Sequence, residues 1–209
     1  MASRLIDISP MIDSSIDVWP GDVSFDLARS LDMKAGDHMT LSSIRSTLHV
    51  GAHTDAPSHY SLEGQDIASR LLELYIGPCQ VFAAEVARGE RIMPHHVHDL
   101  PIETPRILFR TNTFPDHRNW NTDFASLSPE LVDLLAGMGV RLVGIDTPSV
   151  DPFDSKLLEA HQALARHDMA NLEGLDLNGV DPGQYELIAL PLRIRGGDAS
   201  PVRAILREE

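Results

Sequence analysis

Residues 49 to 59 read His-Val-Gly-Ala-His-Thr-Asp-Ala-Pro-Ser-His, and they constrain the fold more than any other stretch of the chain. Three histidines and one aspartate fall at 49, 53, 55 and 59, all odd positions. Side chains alternate along an extended chain, so His49, His53, Asp55 and His59 would share one face. At a rise of roughly 3.3 Å per residue, His53 and Asp55 would lie about 6.6 Å apart, but His49 and His59 about 33 Å. Four side chains serving one site therefore require a sharp bend. Gly51 relaxes the backbone limits and Pro57 fixes φ, so the segment predicts a strand end running into a folded loop. Imidazole and carboxylate converging on one side are what a divalent cation takes. A hydrolytic metalloenzyme is the leading expectation.

Cys79 is the sole cysteine, which removes both an intrachain disulfide and a thiolate metal cage. Any metal must be held by nitrogen and oxygen. Cys79 precedes the apolar run Val81-Phe82-Ala83-Ala84 and is expected to be a buried, inert thiol. The net charge of −14 argues against a nucleic-acid backbone as partner and is compatible with metal binding. No run approaches the ~18 apolar residues of a membrane span. The amino terminus reaches Asp7 too soon for a signal peptide, so a cytoplasmic protein without a membrane partner is expected. With 43% hydrophobic and 23% charged residues, the 209 residues suit one domain, 1–209.

Strand-like runs occur at 4–8, 23–27, 39–48, 79–86, 106–110, 141–145, 185–192 and 202–206, and they outnumber helical segments. The clearest helix begins at Ser128-Pro129, an N-cap followed by the first helical position. Leu131, Leu134, Leu135 and Met138 recur on one face and Gly139 closes it. A short helix is expected near Pro94 and another from Ser155 to His167. Mixed strands with a few helices predict an α/β or α+β domain. The strand order is not readable.

Three residues outside the segment carry two readings each. His161 falls within the stripe Leu157, Leu158, Leu164 and Ala165, either as a core histidine bonded to a carbonyl or as a ligand for the upstream loop. Glu173, between Leu172 and Gly174, is either a solvated turn residue or a carboxylate facing a cation. Trp19, before Pro20-Gly21-Asp22, either caps the core at a turn or stacks on a flat ligand. His95, His96 and His98 share no helical face, and His38, His117 and His167 have no companion; all six are expected at the surface. A serine hydrolase is the competing enzyme class. Gly-x-Ser-x-Gly is missing, which leaves only a dispersed triad open. Neither a P-loop nor Gly-x-Gly-x-x-Gly is present, which disfavours nucleotide binding.

His49 to His59 resembles the signature of the metal-dependent cyclase family, His-x-Gly-Thr-His-x-Asp-x-Pro-x-His, with Ala52 in place of threonine. That alanine removes a hydroxyl which could orient a ligand. The stretches 18–22, 144–151, 185–192 and 199–204 are similar to the family's bacterial kynurenine formamidase branch. The resemblance implies a compact cyclase-like α/β domain, a homodimer and two zinc ions per subunit. It implies that His49, His53 and Asp55 bind the first ion. Asp55 would bridge to a second ion completed by His161, with Glu173 bridging both. His59 would carry the catalytic proton and Trp19 would contact substrate. The implied activity is hydrolysis of N-formyl-L-kynurenine to L-kynurenine and formate, a step in tryptophan breakdown. An isatin-like cyclic amide is the neighbouring possibility, and a metal-stabilised binding protein the non-enzymatic one.

Overall fold

The computed structural model describes residues 4–98 and 100–208, so Met1 to Ser3, the first part of the amino-terminal expectation, lie outside the described residues. A seven-stranded mixed sheet is the frame, with its strands labelled here in chain order. They are β1 (Leu5–Asp7), β2 (Ile76–Ala83), β3 (Arg106–Arg110), β4 (Leu142–Ile145), β5 (Ala170–Leu172), β6 (Gly183–Ile188) and β7 (Ile205–Arg207). The sheet order is β1-β7-β6-β2-β3-β4-β5. From β2 to β5 the pairing is parallel, and from β1 through β7 and β6 to β2 it is antiparallel. The expected α/β architecture is the one observed. Among the described residues no helix is long and apolar enough to cross a membrane.

Alternation along the central strands explains why both faces are covered. Ile107 and Phe109 of β3, with Val143 and Ile145 of β4, face a core closed by two helices, α1 (Pro129–Gly137) and α2 (Glu159–Arg166). Leu108 and Leu142 face the opposite core, which also takes in Ala52, Leu175, Leu187 and Leu206. Parallel strands buried on both sides read as continuous apolar runs, as 106–110 and 141–145 do. The α1 start falls as the sequence predicts: Ser128 Oγ accepts from Leu131 N at 3.1 Å and Pro129 follows. Cys79 is fully buried, and burial pushes its thiol up to about 12.

Two expected helices are shorter than their patterns. α2 begins at Glu159 rather than Ser155, because Leu158 adopts a left-handed φ of 49° that no helix continues through. The Asp151 carboxylate then caps the helix, accepting from Ala160 N at 2.9 Å and His161 N at 3.1 Å. Leu157 is left exposed, and the buried stripe is Ala160, His161, Ala163 and Leu164. Near Pro94 there is a single 3-10 turn, Pro94–His96, in which His96 Nδ1 accepts from Met93 N. Half-buried His96 is therefore a capping group rather than a surface residue, whereas His38 and His95 are exposed.

The 49–59 segment folds as its bend requires. Gly51 takes a φ of 62°, His53–Asp55 forms a short strand paired antiparallel with Ala199–Pro201, and Pro57–His59 makes one 3-10 turn. Two strands without a recognisable sequence pattern, β5 and Ala199–Pro201, hold this layer in place. His53 also exchanges both backbone hydrogen bonds with Glu173, N to O at 3.0 and 2.9 Å. Gly174 lets these chains approach, because a Cβ there would sit 2.3 Å from the Gly51 carbonyl oxygen, at a φ of 62°. Gly179 has a similar φ of 72° with nothing within 4 Å. Gly179→Ala is expected to cost about 1 kcal/mol and Gly174→Ala about 2–4 kcal/mol. Urea unfolding with a chelator present measures both, and equal losses would contradict the close approach.

Candidate metal centre

The parallel strands point their carboxyl ends at the 49–59 layer, which is where open α/β sheets place ligands. The loop after β3 brings Phe114, His117 and Trp120. The loop after β4 brings Ser149, Phe153 and Lys156, and β5 runs directly into Glu173. Together with Trp19 and residues of the histidine segment, these line a cavity of about 510 Å³. Trp19 stacks on Phe153, with ring centroids 4.9 Å apart and planes at 26°, and meets Trp120 edge-on at 5.5 Å.

At the floor of the cavity, His49, His53, Asp55, His161 and Glu173 converge. Asp55, His53, His161 and Glu173 are each no more than 3% exposed. His49 Nδ1 lies 2.9 Å from Asp55 Oδ1, and His53 Nε2 lies 3.7 Å from the same oxygen and 3.3 Å from Glu173 Oε2. His161 Nε2 lies 3.1 Å from Asp55 Oδ2 and 3.3 Å from Glu173 Oε1. Two donors on one tetrahedral zinc, each at about 2.1 Å, stand roughly 3.4 Å apart. The donor set thus has the spacing a shared cation requires.

Two atoms test the fit directly. His53 Nε2 and Asp55 Oδ1 are buried without a hydrogen-bond partner, despite the short contact between Asp55 Oδ1 and His49. Buried polar atoms are almost always satisfied, so these lone pairs are what a cation between them would take up. Donor atoms of His53, Asp55 and Glu173 lie within 4.8 Å of one another, and so do those of His49, Asp55 and His59. Asp55 belongs to both groups.

Neighbouring groups orient these side chains. A carbonyl can only accept, so His53 Nδ1 donates to Gly51 O at 2.9 Å, and in the neutral ring Nε2 keeps its lone pair. His161 Nδ1 is held by Asp151 Oδ2 at 2.8 Å, and His49 Nε2 by Asp198 Oδ2 at 3.1 Å. Asn171 Nδ2 donates to both Asp55 Oδ2 at 2.7 Å and Glu173 Oε1 at 3.1 Å, while its Oδ1 accepts from Asp55 N. Carboxylates and carbonyls behind metal-binding imidazoles fix ring orientation in this way.

Without an ion, protons take the cation's place. Burial alone would lower His49, but its contacts with Asp55 and Asp198 outweigh it and raise it to about 9. His161 is likewise raised, by Asp151, Asp55 and Glu173 against the opposing effect of burial. Burial pushes Asp55 up, but His161 and His49 hold it well below the ordinary carboxylate range. Glu173 is pushed up by burial and by Asp55, yet lies lower on balance because of His161 and His53.

His59 stands at the rim, its side chain 34% exposed, with its ring 4.4 Å from that of His49 and 5.9 Å from that of His161. Its Nδ1 lies 3.6 Å from Asp198 Oδ2, just beyond a hydrogen bond. Half-buried Trp19 lines the cavity instead of capping the core, and Glu173 is buried instead of being a solvated turn residue. His117 corrects the surface expectation: it lines the cavity, meets Phe114 edge-on at 5.5 Å, and is lowered by burial. His167 is a surface residue, paired with Asp133 at 2.8 Å. Sequence reasoning missed Asp151, Asn171 and Asp198. Only Asn171 left a signal, two residues before Glu173 and hence on the same strand face.

The cyclase family's sequence profile matches residues 6–152, a span that contains His49 to His59 and Asp151. Solved structures overlap the chain over its whole length, including His161 and Glu173. One described as a potential metal-dependent hydrolase with cyclase activity is 25% identical, with a TM-score of 0.85 over 100% of this chain and 99% of that one. A second, described as a "predicted metal-dependent hydrolase" from Bacillus stearothermophilus, is 25% identical, with a TM-score of 0.84 over 100% of both chains. Isatin hydrolase A from Labrenzia aggregata shares the fold at 22% identity and a TM-score of 0.81, over 99% of this chain and 94% of that one. With its histidine segment inside the matched span and its full length on the same fold, the chain belongs to the cyclase family.

Proposed function

We propose that the chain is a metal-dependent amide hydrolase that converts N-formyl-L-kynurenine to L-kynurenine and formate. The observation that carries this reading is a buried set of imidazoles and carboxylates, with unsatisfied lone pairs, beside an aromatic-walled cavity. His49, His53 and Asp55 would hold one divalent ion. Asp55, His161 and Glu173 would hold a second, with Glu173 reaching both. Zinc follows from the family resemblance, as does a homodimer. When bound, such ions supply a Lewis acid and an acidified water at neutral pH.

The residues around them do the rest. Asp55 and Glu173 offset the positive charge, and Asn171 holds the two carboxylates in register. Trp19 and Phe153 offer a face on which an aryl ring stacks, which sets the formyl group against the floor. Water adds to the formyl carbon as the C–N bond breaks. His59, at the rim and partly solvated, takes the proton from that water and returns it to the departing aryl amine. A second reading is hydrolysis of a cyclic aryl amide such as isatin. Structural neighbours described as isatin hydrolases support it, since both substrates set an amide carbonyl beside a flat ring.

The metal-loaded protein is expected to consume N-formyl-L-kynurenine faster than isatin, followed by absorbance. His59→Ala should lose about 10²–10⁴ in kcat while retaining its metal. No turnover of N-formyl-L-kynurenine by the loaded wild type would refute the reading, and full activity in His59→Ala would remove the proton carrier.

Metal-free stability should depend on pH in a specific direction. A folded-state pKa of about 9 for His49, against an ordinary 6.5, gives stabilisation complete below pH 6.5 and lost as pH rises through about 9. His161 acts in the same direction. The urea midpoint of the chelated protein should therefore fall between pH 6.5 and 9, and metal should abolish that fall by replacing the protons. A metal-free midpoint that is flat or rising over this window would contradict the assignment.

A further inference from the structure

Amide hydrolysis does not account for the charge pattern of the cavity away from its metal-binding floor. Lys156 is the one lysine or arginine among the described residues that line it. Asp17 and Asp22 line the same cavity. In a chain of net charge −14, a negatively charged ligand entering here meets a single fixed cation.

The three charged groups bracket the aromatic wall. Lys156 lies in the turn that precedes α2, three residues after Phe153, the ring stacked on Trp19. Ser155 Oγ pins this turn by accepting from Leu158 N at 3.0 Å. Asp17 and Asp22 flank Trp19 on the facing loop. Asp17 Oδ2 accepts from Trp120 N at 2.8 Å and Asp22 Oδ1 from Val23 N at 2.7 Å, so each carboxylate is anchored and has a second oxygen to offer. The aromatic wall thus has an ammonium on one of its loops and two carboxylates on the other.

We propose that this end of the cavity binds the α-amino-acid tail of an aryl amide, with Lys156 selecting its carboxylate and Asp17 and Asp22 its ammonium. The inference rests on the amide-hydrolase reading above and narrows it to zwitterionic substrates. A neutral ring amide such as isatin has no charge to set against any of the three groups. Lys156 is thereby a specificity residue that leaves the chemistry at the floor untouched. One charge-assisted hydrogen bond at a partly solvated position corresponds to roughly tenfold in affinity.

The chain's two tryptophans, Trp19 and Trp120, both line the cavity, so their emission reports occupancy without turnover. Metal-loaded wild type, Lys156→Gln and Lys156→Arg would be titrated with L-kynurenine and with 2-aminoacetophenone, which keeps the ring and ketone but lacks the tail. Turnover of N-formyl-L-kynurenine and of 2-formamidoacetophenone would be measured alongside. Lys156→Gln is expected to weaken L-kynurenine about tenfold and to raise KM for N-formyl-L-kynurenine by a similar factor. kcat and both tail-less compounds should stay unchanged, and Lys156→Arg should restore wild-type behaviour. Equal effects on compounds with and without the tail, or no effect on either, would overturn the proposal. If the wild type hydrolyses neither formamide, the amide-hydrolase reading falls, and the emission titrations still decide whether Lys156 recognises the tail.

Discussion

Asp55 and Glu173 are two fully buried carboxylates held side by side, and the surrounding structure is organised around that pairing. Each raises the electrostatic cost of the other, and burial removes the water that would otherwise screen them. The fold nonetheless locks them together. Asn171 donates to both, and the backbone bridge between His53 and Glu173 keeps their strands in register. Such a pair is tolerable only with positive charge at its centre. In the metal-free chain His49 and His161 supply it as protonated rings, each steadied from behind by Asp198 and Asp151. A metal ion bound here would therefore compete with protons for the same donors.

The sheet explains why this arrangement lies where it does. Parallel strands β3, β4 and β5 end on the same side, and their following loops supply the aromatic wall, the Lys156 turn and Glu173. Asp151 couples the two levels. It caps α2 through Ala160 N and His161 N, and it also holds the His161 ring that faces Asp55. One carboxylate thereby fixes both the start of a helix and the orientation of a donor. The left-handed Leu158 completes the turn from loop to helix and lines the cavity itself.

What the sequence made legible was local. The odd-numbered spacing of His49, His53, Asp55 and His59 and the bend at Gly51 and Pro57 are properties of eleven consecutive residues. The N-cap and proline at Ser128-Pro129 place α1 for the same reason. His161 is ambiguous in sequence because a ligand and a core histidine occupy the same place in an amphipathic pattern; its approach to Asp55 exists only in the fold. Glu173 was ambiguous because its burial comes from a bridge to His53, more than a hundred residues away in the chain. His117 reads as a surface residue in the sequence because its contact with Phe114 and its place in the cavity wall arise only in the folded loop after β3. Asp198 and Asp151 have no local signature, since each acts by meeting a histidine from another element.

Anomalous X-ray scattering at the zinc absorption edge, from crystals grown with zinc, tests the central claim most directly. The account predicts two peaks on the cavity floor, with Asp55 and Glu173 each within about 2.0–2.2 Å of both ions. His49 and His53 should complete one ion and His161 the other. A floor without anomalous signal, or peaks whose ligands leave out Asp55 and Glu173, would contradict it.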